Sequence, residues 1–200
     1  MIKLGVLCSG RGTDLQSIID AIANKQLNAE ISIVITDKPN VMALERAKKA
    51  GIKNLCVDRK AFESKSDFEA ALLKELKSTN VDLVILAGFM RILSPTFVHE
   101  YKERIMNIHP SLLPSFPGAH AHRDVLAYGV KVSGCTVHFV DEGTDSGPII
   151  MQSAVEVKDN DTEESLAARV LEQEHIIYPK AIQLYVEGRL KIIGRKVTIL

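Results

Sequence analysis

The chain has 200 residues, 46% of them hydrophobic, with 25 basic and 25 acidic side chains and a formal net charge of +0. That length suits one domain with a core deep enough to fold without metal or disulfide support. The balanced charge excludes a basic nucleic-acid footprint, and no apolar run approaches the ~20 residues that span a bilayer, which excludes a membrane partner.

Strand and helix patterns alternate from the start. IKLGVLC (2–8) is a β-rich apolar run followed by a glycine loop. Leu15, Ile18, Ile19 and Ile22 recur at helical spacing and predict a helix over 14–25. AEISIVIT (29–36) predicts the second strand, and 41–50 a short helix stopped by Gly51. NLCV (54–57) is a short third strand. A helix is predicted over 66–78, with Ser66 as N-cap and Glu69 completing a capping box. DLVILAG (82–88) is a continuous apolar run of the kind found in parallel strands buried on both faces. Pro95 opens another helix after Ser94, and RIMNIH (104–109) is the fifth strand. VSGCTVHFVDEG and PIIMQSAVEV then read as two longer strands joined by a short turn around TDSG. A long helix follows over 162–187, and GRLKIIGRKVTIL reads as a C-terminal hairpin.

This order predicts an α/β fold: a doubly wound, mostly parallel sheet with helices on both faces, late antiparallel strands and the hairpin, in one domain spanning 1–200. Ligands of such sheets bind outside the carboxyl ends of the strands. The loops 9–14, 88–93 and 109–118 belong to that rim. Cys8, Cys56 and Cys135 are odd in number, scattered and without a CxxC pair. They read as reduced thiols of a cytoplasmic protein, and the strand-like N-terminus shows no signal-peptide pattern.

CSGRGTD (8–14) joins the first strand to the first helix. Its glycines permit a sharp turn, and a helix N-terminus offers free N–H groups to an anion such as a phosphate. It is neither a P-loop, for want of GK[ST], nor a dinucleotide fingerprint, for Leu15 stands where the third glycine would be. Asp37 is therefore read as a turn or N-cap residue in TDKPN. NIHPSLLPSFPG (107–118) places Asn107 and His109 two residues apart at a strand end, so both side chains share a face. An amide N–H stabilises an oxyanion, and an imidazole moves protons near neutral pH. Asp145, in DEGTDSGP, is either an ordinary turn residue or a carboxylate that pairs with His109, orients it and favours the imidazolium. HAH (120–122), with His109 and His138, matches no common zinc spacing, and no metal is expected. Met90, Ile92 and Leu93 in GFMRILSP are apolar residues in a rim loop, as in a pocket lining. Glu174 in QEHIIYP is a ligand-facing acid or a solvated helix position.

CSGRGTDLQSII, LAGFMRILSP, NIHPSLLPSFPGAHAHR, TVHFVDEGTDSGPII and QEHIIYP together resemble, in order and over essentially the whole chain, the phosphoribosylglycinamide formyltransferases. The resemblance implies a Rossmann-like formyltransferase fold. It also implies transfer of a formyl group from 10-formyltetrahydrofolate, the cosubstrate, to glycinamide ribonucleotide in purine (IMP) biosynthesis. By it, Asn107, His109 and Asp145 are the catalytic group, and Gly12, Thr13, Asp14 and Glu174 hold the nucleotide. Lys65, Met90, Arg91, Ile92, Leu93, Asn107, Asp141 and Asp145 hold the folate. Residues 1–100 would form the nucleotide-phosphate side and 101–200 the catalytic and folate side. The Leu113–Pro114 bond is implied to be cis. The family's phosphate loop often ends in asparagine where this chain has Asp14, and Lys65 stands where arginine is common. Methionyl-tRNA formyltransferase and formyltetrahydrofolate deformylase share parts of NIHPSLLP but carry extra domains for which this chain has no room. A hydrolase of the same fold and a nucleotide-binding module without chemistry are the rival readings, and the protein is expected as a monomer or homodimer.

Overall fold

The computed structural model describes residues 1–200. The chain forms two compact units, Met1–Met106 and Asn107–Leu200. In the first unit, β1 (Ile2–Cys8), α1 (Thr13–Ala23), β2 (Ala29–Thr36), α2 (Met42–Lys49) and β3 (Asn54–Cys56) alternate as predicted. A 3-10 turn at Arg59–Ala61 precedes α3 (Lys65–Ser78), β4 (Leu83–Leu86) and α4 (Pro95–Glu100). β1 pairs in parallel with β2 on one side and β4 on the other, and β2 pairs in parallel with β3. The strand order therefore reverses at β1, which makes this a doubly wound sheet. Right-handed crossovers send α1 and α2 to one face and the β3-to-β4 connection to the other. Leu4, Val6, Leu7, Ile33, Val34, Ile35, Leu83, Val84 and Ile85 are all fully buried. Continuous apolar strands of this kind need helices on both faces.

α3 begins earlier than predicted. Ser64, not Ser66, caps it by accepting from the Asp67 N–H at 3.0 Å. Glu69 takes no part in a capping box; it is buried and accepts from the Ser94 N–H at 2.9 Å and from the Ser94 hydroxyl. Both serines offer an acid three residues on, and the burial of Glu69 decides between them. Ser94 caps α4, with Pro95 at its first turn as expected.

The unit boundary falls inside β5 (Ile105–His109). The second unit continues with α5 (Ala121–Tyr128), β6 (Val132–Phe139), β7 (Ile149–Glu156), α6 (Glu163–Val186), β8 (Leu190–Ile193) and β9 (Lys196–Ile199). β6 and β7 pair antiparallel, with an irregularity between Val137 and His138, and β8 and β9 form the antiparallel C-terminal hairpin. α6 packs on β6 and β7, and its Leu166, Val170, Tyr178, Ala181 and Ile182 are fully buried. α5 is absent from the sequence reading because only Ala121 and Val125 of its eight residues are buried, too few to mark a helical stripe. The β6–β7 connection is also longer than the predicted turn. β6 ends at Phe139, whose N–H bonds Pro148 O at 2.9 Å. A Cβ on Gly147 would stand 1.8 Å from the Phe139 carbonyl oxygen, so only glycine lets the chain re-enter there. No helix is long and apolar enough to cross a membrane.

Candidate functional site

In the first unit the loop after β1 is fastened from several sides. The Ser9 N–H bonds Gly88 O at 3.1 Å, and the Ser9 hydroxyl accepts from the Met90 N–H at 2.9 Å. The Ala43 N–H reaches Gly10 O, and Arg46 Nε donates to Arg11 O at 2.8 Å. Gly12 then forms the N-cap of α1 at φ 68, with no side-chain cap. A Cβ at Gly12 would lie 2.9 Å from the Ala43 Cα, so both conformation and space demand glycine. The first-turn amides of Thr13, Asp14 and Leu15 precede the first intrahelical donor, Gln16, whose N–H bonds Gly12 O. Asp14 does not cap the helix. Its side chain is buried in the first turn, and burial pushes its carboxyl up to about 6 against the pull of Arg11.

Lys65 and the 90–93 loop share a cavity of about 370 Å³, lined also by Arg59, Phe68 and Glu69. Met90 and Ile92 are exposed, and Leu93 is buried. Arg91 donates from Nε to Asp37 Oδ2 at 2.6 Å and lies 5.9 Å from the centre of the Phe68 ring. Asp37 lies in the bend directly after β2, and its fully buried side chain pairs with Arg91. Arg59 and Phe68 escaped the sequence reading because they sit on the 3-10 turn and α3, remote in sequence from the apolar loop they meet.

In the second unit, β5 ends by presenting Asn107 and His109. His109 is buried, and its Nδ1 lies 3.3 Å from Asp145 Oδ2. Its Nε2 lies 2.9 Å from the Phe116 carbonyl oxygen, which also accepts from the Ser111 hydroxyl at 3.1 Å. Phe116 stands at φ 52, unusual for a bulky residue, and these two hydrogen bonds hold it there. Both ring nitrogens of His109 therefore face acceptors, an arrangement fully satisfied when both carry hydrogen. Asp145 is itself fixed: its Oδ2 accepts from the Gly118 N–H at 2.8 Å, and its backbone adopts φ 51. Asp141 Oδ1 accepts from the Gly143 N–H at 3.1 Å and the Ser146 hydroxyl at 2.6 Å, shaping the loop that carries Asp145. Asn107 Nδ2 lies 3.1 Å from His138 Nε2, which is 3.9 Å from Asp145 Oδ1. Asn107, His138, Asp145 and His109 thus form one connected polar cluster.

The proline loop is anchored below this cluster. Thr136 Oγ1 donates to Ser111 O at 2.7 Å and accepts from the Leu113 N–H at 3.1 Å, and Gln152 Nε2 donates to Leu113 O at 2.9 Å. The Leu113–Pro114 bond is cis. Glu174 lies on the buried side of α6, 7% exposed, and is not a solvated position. His120 is the N-cap position of α5 and His122 lies in its first turn; no group of three or more His, Cys, Asp or Glu side chains is placed to hold a metal ion. His138 entered the sequence reading only among possible metal ligands. Its place in TVHFVDEG, inside a buried strand leading to Asp145, was the available signal.

The Formyl transferase family profile matches residues 2–182. The phosphoribosylglycinamide formyltransferase of Escherichia coli is 45% identical over 191 residues, covering 96% of this chain and 90% of that protein. The crystal structure of glycinamide ribonucleotide transformylase 1 from Symbiobacterium toebii is 50% identical at a TM-score of 0.98, with 100% of this chain and 94% of that one covered. A formyltetrahydrofolate deformylase from Pseudomonas syringae is similar at 26% identity and a TM-score of 0.92, with 100% of this chain and 66% of that one covered. The chain spans only 14% and 19% of the length of the trifunctional purine biosynthetic proteins adenosine-3 of Drosophila melanogaster and Gallus gallus, each 47% identical to it.

Proposed function

This chain belongs to the formyl transferase family, and we propose that it transfers the formyl group of 10-formyltetrahydrofolate to the amine of glycinamide ribonucleotide, a step of purine biosynthesis. The observation that carries this reading is the His109–Asp145 pair at 3.3 Å beside Asn107, in a chain 45% identical to a phosphoribosylglycinamide formyltransferase that it nearly covers. The amine lone pair attacks the formyl carbon and the carbonyl electrons move to oxygen. Asn107 and doubly protonated His109 stabilise that oxyanion. For His109 to do so, its Nε2–H passes from the Phe116 carbonyl to the formyl oxygen. Collapse reforms the carbonyl, breaks the bond to N10 and releases tetrahydrofolate. Asp145 keeps His109 charged and helps carry the amine proton, through water, to N10. No covalent enzyme intermediate and no metal is needed.

In this reading Gly12, Thr13 and Asp14, at the N-cap and in the first turn of α1, bind the ribose phosphate, and Glu174 contacts the glycinamide end. Lys65, Met90, Arg91, Ile92 and Leu93 are the folate-binding residues of the first unit, and Asn107, Asp141 and Asp145 those of the second. The nucleotide-phosphate role falls to the first unit and the catalytic role to the second. The three cysteines are unpaired, which suits a reducing compartment, and we place the enzyme in the cytoplasm.

The test mixes the protein with a 10-formylfolate analogue, with and without glycinamide ribonucleotide. Deformylation that requires the nucleotide is the expected result. Formate release without nucleotide identifies a hydrolase, and nucleotide binding without turnover identifies a binding module. Asn107→Ala should lower kcat by roughly 10²–10³, as removal of one oxyanion donor does. Near-normal turnover of both His109→Ala and Asp145→Ala would remove these residues from the mechanism.

A further inference from the structure

His138 has no role in the mechanism above. It lies on β6 directly after the irregularity between Val137 and His138, a feature that re-aims a side chain. The residue is 2% exposed. Its Nδ1 stands 2.8 Å from the Phe139 carbonyl oxygen. A carbonyl oxygen only accepts, so Nδ1 carries the hydrogen and Nε2 of the neutral ring keeps a lone pair. Burial is the main cause holding the pKa of His138 below the ordinary histidine value; the His109 charge acts the same way, while the Phe139 carbonyl, Asp145 and Asp141 oppose it. The ring is therefore neutral at pH 7. A lone pair attracts an amide N–H and repels an amide oxygen. Facing Nε2 at 3.1 Å, Asn107 must turn its nitrogen toward His138, and the second N–H and the oxygen then have fixed directions.

We infer that His138 is a positioning residue for formyl transfer: as the neutral Nδ1–H tautomer it holds the Asn107 amide so that a nitrogen-borne hydrogen, not the amide oxygen, is offered to the oxyanion. A protonated His138 would donate from Nε2, draw the Asn107 oxygen toward itself and turn the amide donor away. This assignment rests on the formyl-transfer reading.

A double-mutant cycle tests it. His138→Leu, which removes the acceptor, should lower kcat by about 10- to 100-fold while the KM for each substrate stays within about threefold, because the loss is of an oriented transition-state donor. His138→Gln, whose amide oxygen can accept from Asn107, should restore kcat to within about fivefold of wild type. In an Asn107→Ala background, His138→Leu should cost less than about a further twofold, since the residue acts through Asn107. If the two single losses multiply, His138 does not work through Asn107. Should His138→Leu fail to fold, the tautomer of the wild type decides. A two-bond ¹⁵N–¹H spectrum is expected to show a protonated Nδ1 and a bare Nε2, and a protonated Nε2 overturns the assignment. Wild-type protein that shows no nucleotide-dependent transfer refutes the formyl-transfer reading instead, and the tautomer measurement does not depend on it.

Discussion

Asp14→Asn should stabilise the protein at neutral pH and leave it unchanged in acid. Asp14 lies in the first turn of α1, where the helix dipole favours an anion by ~0.3–1 kcal/mol. Its side chain is nevertheless 8% exposed, and burial lifts the carboxyl from 3.8 to about 6, with Arg11 opposing. A carboxyl raised on folding favours the folded state while it is protonated. That contribution is complete below pH ~3.8 and is lost as pH rises through about 6. Moving a carboxyl from 3.8 to about 6 corresponds to ~3 kcal/mol of folding free energy withdrawn by pH 8. Asparagine keeps the shape and drops the charge. Urea denaturation of both proteins across pH 4 to 8 should show the variant gaining up to ~3 kcal/mol at pH 8, equivalent to roughly 6–12 °C in Tm for a chain of this size, with the gain vanishing near pH 4.

The same substitution bears on phosphate binding. A phosphate held by the first-turn amides would meet the Asp14 carboxylate as a like charge at high pH and as a neutral acid below pH 6. Calorimetric titration with glycinamide ribonucleotide should give a ratio of wild-type to variant Kd that rises from pH 5.5 to 8. The ratio cancels the titration of the phosphate itself. A stability difference between the two proteins that does not change with pH would refute the burial argument. A pH-dependent stability difference with a constant Kd ratio would instead place the phosphate elsewhere.

Arg91→Ala strands Asp37, whose side chain is fully buried, and Arg91 is itself 36% exposed. The expected loss is roughly 2–4 kcal/mol by urea denaturation, toward the low end for a broken buried pair because water reaches the arginine. Gly12→Ala places a Cβ 2.9 Å from the Ala43 backbone at φ 68. It should cost about 1–3 kcal/mol in stability and weaken nucleotide binding more than folate binding, as read from the two KM values.

The strand runs were legible because they are apolar and bounded by turn residues. IKLGVLC and AEISIVIT became β1 and β2 at the expected residues, since strands buried on both faces must be apolar throughout. Helix starts were less legible where two caps compete, and Ser64 prevailed over Ser66 because Glu69 is buried against Ser94. The long β6–β7 connection was misread as a short turn. Its course depends on Asp141 bonding Gly143 and Ser146, and on a contact at Gly147 that only glycine survives, none of which leaves a periodic trace. The side-chain partner of Asp37 was not legible because Arg91 is 54 residues away, on another loop.

The candidate site divides along the same line. Asn107 and His109 share a face by strand period alone, which is local information. Their hydrogen-bond partners arrive through the tertiary fold, and those partners decide what each imidazole does. Two buried histidines face the same aspartate, yet they are cast in different states. His109 stands between a carbonyl and a carboxylate oxygen, so both its nitrogens meet acceptors. His138 stands between a carbonyl and an amide nitrogen, so one of its nitrogens must stay bare. A ring whose two nitrogens both face acceptors and a ring with one bare nitrogen give the two histidines different hydrogen-bonding parts around one aspartate. Exchanging a single partner, such as the Phe139 carbonyl for a donor, would reverse the His138 tautomer and turn the amide around without changing any residue of the NIHP motif.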